Sequence, residues 1–408
     1  MPTEKLAHVF SAKLRELGAT GTLKGNEHVV SAVVPAKDGT GPRVMLLGHG
    51  DRTFLKMNSN SYLGLDCDER VITAEVEATH RFGVGPGAVR FISGTSTPHI
   101  ELERGLASFH EREDAILFSS AYAAVLGTLN ALITDKTLVV SDKLNHNSII
   151  NAVRLSRPVK SAVYRHLDMS ELAWSLDHYA HMAKRACIVT DGIFSMRGDH
   201  APLHEIMAIA RAHNDKYEEG VFVVVDDSHG VGAFGPTGRG TEEYVGAKAD
   251  VLIGTLGKSF GVNGGYVVAD GRTVAYLKET APTYIYSNPI TPGEAAAALR
   301  ALQILDGLEG IERVRIARTL AEHLRFGLEA RGFETLGDEH PIVPLLTRDT
   351  EKTQKLVAHL FEKNILATGI TYPVVPRGEE EIRFQVTAAH TYKDITSGVL
   401  VALSQFPK

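Results

Sequence analysis

Two cysteines in 408 residues leave nothing to build a disulfide scaffold from. Cys67 and Cys187 lie too far apart for a short zinc motif, so they read as small apolar core residues in a reducing compartment. No block of Lys and Arg is present either. With 43 basic residues against 49 acidic ones the formal charge is -6, which excludes the electrostatic footprint of a nucleic-acid binder. No stretch approaches the roughly 18 uncharged apolar residues of a membrane span. The N-terminal "MPTEKLAHVFSAKLRELG" carries charges at helical spacing, where a secretion signal needs a continuous apolar core. Repeats and low-complexity tracts are also missing. These absences predict a cytoplasmic protein with neither nucleic acid nor membrane as partner, and no metal site.

What is present suffices for a large core. A hydrophobic content of 44% over this length allows two domains. Leu6 to Leu17 reads as a helix, followed by short strands broken at Gly and Asp, so residues 1–49 form an arm. From there to about residue 290, helical stretches alternate with the apolar runs "TLVVSD" (137–142), "ACIVTDGIF" (186–194), "VFVVVDD" (221–227), "DVLIGTL" (250–256) and "GGYVVA" (264–269). Continuous β-branched runs between helices predict an α/β fold whose mostly parallel sheet is covered on both faces. Prolines near 289 and 292 place a boundary before a smaller α+β lobe, giving a large domain at 50–290 and a small one at 291–408.

The segment "GTLGKSFG" puts Lys258 among small residues just after an apolar run. A phosphate loop would need glycine where Leu252 stands, so that spacing fails. "GVGAFG", Gly230 to Gly235, satisfies a dinucleotide pattern but opens no helix, since "PTGRG" follows. What remains is a set of polar residues at the carboxyl ends of successive predicted strands, where open α/β sheets bind ligands. Asp142 to His146, Asp191 and Ser195, Asp226 to His229, and Thr255 with Lys258 converge on one crevice.

Pyridoxal 5'-phosphate would find each of its needs there. Lys258 supplies an amine for its aldehyde, and Asp226 a carboxylate for the pyridinium nitrogen. "SSAY", including Ser120, Ala121 and Tyr122, opens the helix "AAVLGTLNAL", whose amino end suits a phosphate. His146 can stack on the ring and His229 can bond its phenolic oxygen. Singly, each has an ordinary alternative: Asp226 a turn or cap, His146 and Ser195 loop polar groups, Lys258 a solvated turn lysine. Their joint order carries the reading.

"NSYLGL", "VRFISGTSTPHIELE", "SDKLNHNSII", "TDGIFSMRGDHAPL", "VVDDSHGVGAFGPTGRG", "TLGKSFG" and "IRFQVTAAHT" together resemble the α-oxoamine synthases, fold-type I pyridoxal phosphate enzymes. The resemblance runs from about residue 50 to 395. It implies that Lys258 bonds the cofactor aldehyde, with Thr255 near the phosphate and Ser195 near the ring oxygen. Asn60 and Arg383 would hold an amino acid carboxylate, and Ser287 would reach the phosphate across a homodimer interface. The implied reaction joins an amino acid, glycine foremost, to an acyl-CoA, with CoA released. In relatives that use succinyl-CoA a threonine and an asparagine hold the succinyl carboxylate; Val89 and Phe91 stand there, which favours acetyl-CoA. "TYPVVPRGEEEIRFQVTAAHT" resembles the 2-amino-3-ketobutyrate ligase branch, and an oxononanoate-type enzyme with longer acyl groups and decarboxylation is the alternative. A transaminase would need a different pocket, and a non-catalytic relative would lack the lysine.

Overall fold

The computed structural model describes all residues except 1, 21–22, 24–26, 338, 373 and 407–408. The arm begins with helix α1 (Pro2–Ala19), which exposes Leu6, Val9, Phe10 and Leu14. Strands β1 (Val30–Val34), β2 (Arg43–Leu46) and β3 (Thr53–Lys56) follow in antiparallel order. Helices α2 (Glu69–Phe82) and α3 (Thr97–Phe109) lead into the main sheet.

That sheet has seven strands: β4 (Asp114–Phe118), β5 (Thr137–Asp142), β6 (Lys160–Tyr164), β7 (Arg185–Asp191), β8 (Val221–Asp226), β9 (Val251–Thr255) and β10 (Gly265–Ala269). Their spatial order is β4-β10-β9-β8-β7-β5-β6. β10 pairs antiparallel with both neighbours, while the other pairings are parallel. Helices α4 (Ala121–Leu132) and α5 (Asn147–Ser156) cover one face, packing on Ile116, Val139, Val224 and Ile253. The residues between these point the other way. Leu138, Val140, Val223 and Val225 meet Leu172 and Ile206, while Leu117, Leu252 and Val268 meet Leu102 and Leu106 of α3. Burial on both faces explains why the strands read as unbroken Val, Ile and Leu runs.

Two features depart from the sequence reading. The helix Pro292–Leu305 buries Ala295, Ala298, Ala301 and Leu305 in the core of the large domain, so that core extends past the boundary expected at 290. The break comes at Asp306 and Gly307, and the following helix, Leu308–Glu329, carries Leu320, Leu324 and Leu328 into the second core. Cys67 is exposed and only Cys187 is buried, because the short turn Leu65–Cys67 commits Leu65 to the core and turns the thiol outward.

The small lobe contains β11 (Glu334–Thr335), β12 (Ile342–Leu346), β13 (Ile365–Leu366), β14 (Thr368–Ile370) and β15 (Glu381–Gln385). Four of these form one sheet, ordered β11-β12-β15-β14, whereas β13 pairs parallel with β3 and ties the arm to the lobe.

Candidate active site

Five strand ends of the main sheet open onto one cavity of about 210 Å³, lined by Ala121, Tyr122, His146, Ser148, Asp191, Ile193, Ser195, Asp226, Ser228, His229, Thr255 and Lys258. At its floor, Ser120 caps α4 and accepts from the amide of Ala123 at 3.1 Å. The first amides of that helix have no carbonyl within the helix to bond. Gly265, opening β10, lies so close to this turn that an added Cβ would overlap the Ala121 amide and the Ser120 backbone. The turn, the unbonded amides and the helix dipole form an anion cradle.

The next strand ends supply the ring partners. The backbone amide of His146 donates to Asp191 Oδ2 at 3.0 Å, and Asn145 Oδ1 accepts from the Asp191 amide at 2.9 Å, locking the turns after β5 and β7 together. The Ser148 amide donates to His146 Nδ1 at 3.3 Å. An amide can only donate, so the neutral ring carries its proton on Nε2. His229 is held in place by two contacts: the buried Tyr62 hydroxyl lies 2.8 Å from its Nδ1, and its carbonyl accepts from His340 Nε2 at 2.8 Å. Asp226 Oδ1 accepts from the hydroxyl of Ser228 at 2.6 Å.

The glycines of "GVGAFG" serve loop packing, not a nucleotide: Gly230 abuts Asp227, Gly232 abuts Ser259 and Gly235 abuts Glu243. A Cβ at Gly230, and likewise at Gly192 or Gly240, would overlap the Asp227 carboxyl, which accepts from the Thr241 amide and hydroxyl at 2.7 Å each. Burial pushes that carboxyl up to about 7. Of the paired aspartates, one holds the loop together and the other lines the cavity.

Burial dominates the electrostatics. It pushes the Lys258 ammonium down to about 8, against the attraction of Asp226 and Asp191. It lowers His146 and, much further, His229, with the charge of Lys258 adding to both. Asp191 is held well above the ordinary carboxylate range by burial and by the charge of Asp226. The cavity thus holds a lysine able to lose its proton near neutrality beside two neutral histidines.

Of the residues expected from sequence, Ala121, Tyr122, His146, Ser195, Asp226, His229, Thr255 and Lys258 line this cavity, and Ser120 caps the helix behind it. Asn60 and Arg383 stand at the edge of the small lobe. Arg383 Nη1 donates to the Ser195 carbonyl at 3.0 Å, its Nε is buried without a partner, and Asn60 Oδ1 accepts from Gln385 Nε2. Val89, Phe91 and Ser287 do not line the cavity within one chain. Phe91 is 70% exposed, and neighbouring Arg90 stacks over Tyr284 at 5.5 Å, so this segment lies beside the turn carrying Ser287. Tyr62, Ser148, Asp191, Ser228 and Gln385 belong to the site as well. All five lie inside the quoted motifs, and Asp191 and Ser228 also fall at the strand ends named from the sequence. Their roles needed the third dimension. Among the described residues no group of three or more His, Cys, Asp or Glu could hold a metal, and no helix is long and apolar enough to cross a membrane.

A model of the aminotransferase class I and II family matches residues 52–399. The chain belongs to that family. Within it the chain is an α-oxoamine synthase relative: it is 38% identical to human mitochondrial 2-amino-3-ketobutyrate coenzyme A ligase, covering 96% of this chain and 90% of that one. It is 40% identical to the 8-amino-7-oxononanoate synthase of Thermosipho melanesiensis, covering 88% of each. Serine palmitoyltransferase of Sphingomonas wittichii superposes with a TM-score of 0.85 at 26% identity, covering 98% of this chain and 96% of that one. A structure described as SPT with PLP internal aldimine superposes at 0.83 with 27% identity over the same shares. The family member described here is therefore a pyridoxal phosphate enzyme of the fold-type I class. The anion cradle at α4, the carboxylate of Asp226 and the amine of Lys258 fit that cofactor.

Proposed function

We propose that this enzyme condenses glycine with a short acyl-CoA, acetyl-CoA foremost, giving a 2-amino-3-oxo acid and free CoA. The observation that carries the reading is Lys258, an amine lowered to about 8 at the edge of a cavity that also holds Asp226, His146 and His229. The bound cofactor supplies an electron sink that makes the α-proton of an attached amino acid acidic. The chain does the rest. Lys258 would hold the cofactor aldehyde, and its free amine, with a pKa near the working pH, would serve as the base that takes the α-proton. Asp226 would keep the ring nitrogen protonated, and His229 would hydrogen-bond the ring oxygen, beside Ser195. Arg383 and Asn60 hold the substrate carboxylate so that the C–H bond to be broken stands across the ring. His146, in the cavity wall, would cover the ring and exclude water.

Glycine is favoured because no charged or hydrogen-bonding group is identifiable as a reader of a side chain at Asn60 and Arg383. Val89, Phe91 and Ser287 take part from a second copy of the chain, across a homodimer interface that completes the site. The division into an arm, a large and a small domain, with the active site between the last two, accompanies this reading, as does a cytoplasmic location.

The test is CoA release by the holoenzyme from acetyl-, propionyl-, hexanoyl- and pimeloyl-CoA with glycine, serine and alanine, the products weighed by mass spectrometry. Acetyl-CoA with glycine is expected to give the highest kcat/KM and a product that retains its carboxylate. The comparable identity to an 8-amino-7-oxononanoate synthase supports a second reading, and preference for pimeloyl-CoA with loss of carbon dioxide would install it.

A further inference from the structure

His340 is fully buried and stands behind the cavity wall, outside the lining. Both of its ring nitrogens have defined roles. The Ile342 amide donates to Nδ1 at 3.1 Å, and since an amide only donates, Nδ1 is an acceptor. Nε2 therefore carries the proton of the neutral ring, and its partner at 2.8 Å, the His229 carbonyl, is a group that only accepts. Burial pushes the imidazole down to about 4, opposed by the bond to His229 and aided by the charges of Lys258, Arg325 and Arg383, so the ring is neutral at physiological pH.

The two bonds join different lobes. Ile342 opens β12 of the small lobe, and Ile342 and Pro344 lie opposite Gln385 and Arg383 of β15. His229 belongs to the loop after β8 of the large domain and lines the cavity. The turn around it is closed by the amides of Gly230, Val231, Ala233 and Phe234, which donate to the carbonyls of Asp227 and Gly230. None of those four bonds uses the His229 carbonyl, the acceptor that His340 takes. The His340 ring also packs T-shaped on Tyr62, with centroids 5.3 Å apart and planes at 83°, and Tyr62 is the residue whose hydroxyl meets His229 Nδ1. One side chain from the strand pair that carries Arg383 thus backs both Tyr62 and His229.

We infer that His340 is a positioning residue: it sets where His229 stands relative to Arg383, and so aligns the contact to the cofactor's ring oxygen with the site for the substrate carboxylate. The inference rests on the reading above in which His229 bonds that oxygen.

Side-chain amides separate the two bonds of His340. In His340→Gln the amide nitrogen can take the place of Nε2 and still reach His229. In His340→Asn the amide oxygen can take the place of Nδ1 and serve Ile342, but no donor reaches His229. The readout is the pH midpoint of the visible absorbance change of the holoenzyme without substrate, which responds to hydrogen bonding at the ring oxygen. His229→Ala calibrates it and should move the midpoint by about one pH unit. His340→Asn should move it in the same direction by at least ~0.5 unit and His340→Gln by less. Combined with His229→Ala, His340→Asn should add nothing further. His340→Phe, which keeps a ring against Tyr62 but has no donor, takes the place of His340→Asn if the latter does not fold. A native midpoint in the Asn or Phe variant, equal shifts with Gln and Asn, or additive shifts in the double variant overturns the inference and leaves the placement of His229 standing. A native midpoint in His229→Ala overturns that placement and the inference with it.

Discussion

Lys258 concentrates the chemistry in one side chain. A lysine between small residues at a strand end is expensive to bury, and its lowered pKa measures that expense. Replacing it with alanine should abolish the borohydride-trappable link to the cofactor and lower turnover by at least ~10³-fold. Normal turnover by Lys258→Ala would remove the basis of the proposed function. The same shift has a consequence for the cofactor-free protein. Its folded-state pKa of about 8 lies below the unfolded value near 10.5, so between these pH values the unfolded chain binds more protons and folding gains stability as pH rises. Urea denaturation of the cofactor-free protein should show the native chain gaining up to ~3 kcal/mol relative to Lys258→Met between pH 7.5 and 10.5. A constant difference across that range would mean that the amine is solvated in the folded state.

At the scale of elements, the site depends on close approach between strand ends and helix starts. Gly265 is the sharpest case. Gly265→Ala must push β10 away from the Ser120–Ala121 turn and misplace the amides that cradle an anion. Its affinity for pyridoxal phosphate should fall at least tenfold, measured by absorbance titration of the cofactor-free protein. Unchanged affinity would move the phosphate away from α4. Ser120→Ala removes the cap of the same helix and should cost about 1 kcal/mol of stability in chemical denaturation. Most of these elements were legible in the chain, because strands buried on both faces spell themselves as runs of Val, Ile and Leu. The strands β4 and β6 were not singled out. β6 alternates exposed and buried residues at the edge of the sheet, and β4 is a brief run, "DAILF", directly behind a helix. The antiparallel direction of β10 also escaped, since hydrophobic pattern carries no information about strand polarity.

At the scale of the whole molecule, exposed apolar residues lie beside the segments that the proposed homodimer would bring together. Phe91 at 70%, Ile92 at 66% and Tyr286 at 82% exposure flank the segments assigned to a shared site. Under the proposed dimer, Phe91→Asp should shift sedimentation toward a single-chain species and lose activity in parallel. Mixing inactive Lys258→Ala with inactive Ser287→Ala should restore part of the activity after subunit exchange, since one of the mixed sites carries both native residues. Exchange without recovery would refute the shared site.

By itself the sequence determined the α/β class, the cofactor chemistry and most of the residues around Lys258. Those properties follow from residue type and order along the chain: apolar runs that must be buried, and polar groups at their ends. Only the tertiary structure decided which aspartate of the pair lines the cavity, that His146 carries its proton on Nε2, and that the helix Pro292–Leu305 joins the larger core. It also brought Tyr62 to His229 and Asn60 to Gln385, across separations of 167 and 325 residues. Such pairings depend on how sheets and lobes pack, and local pattern does not record distance between segments that meet only after folding.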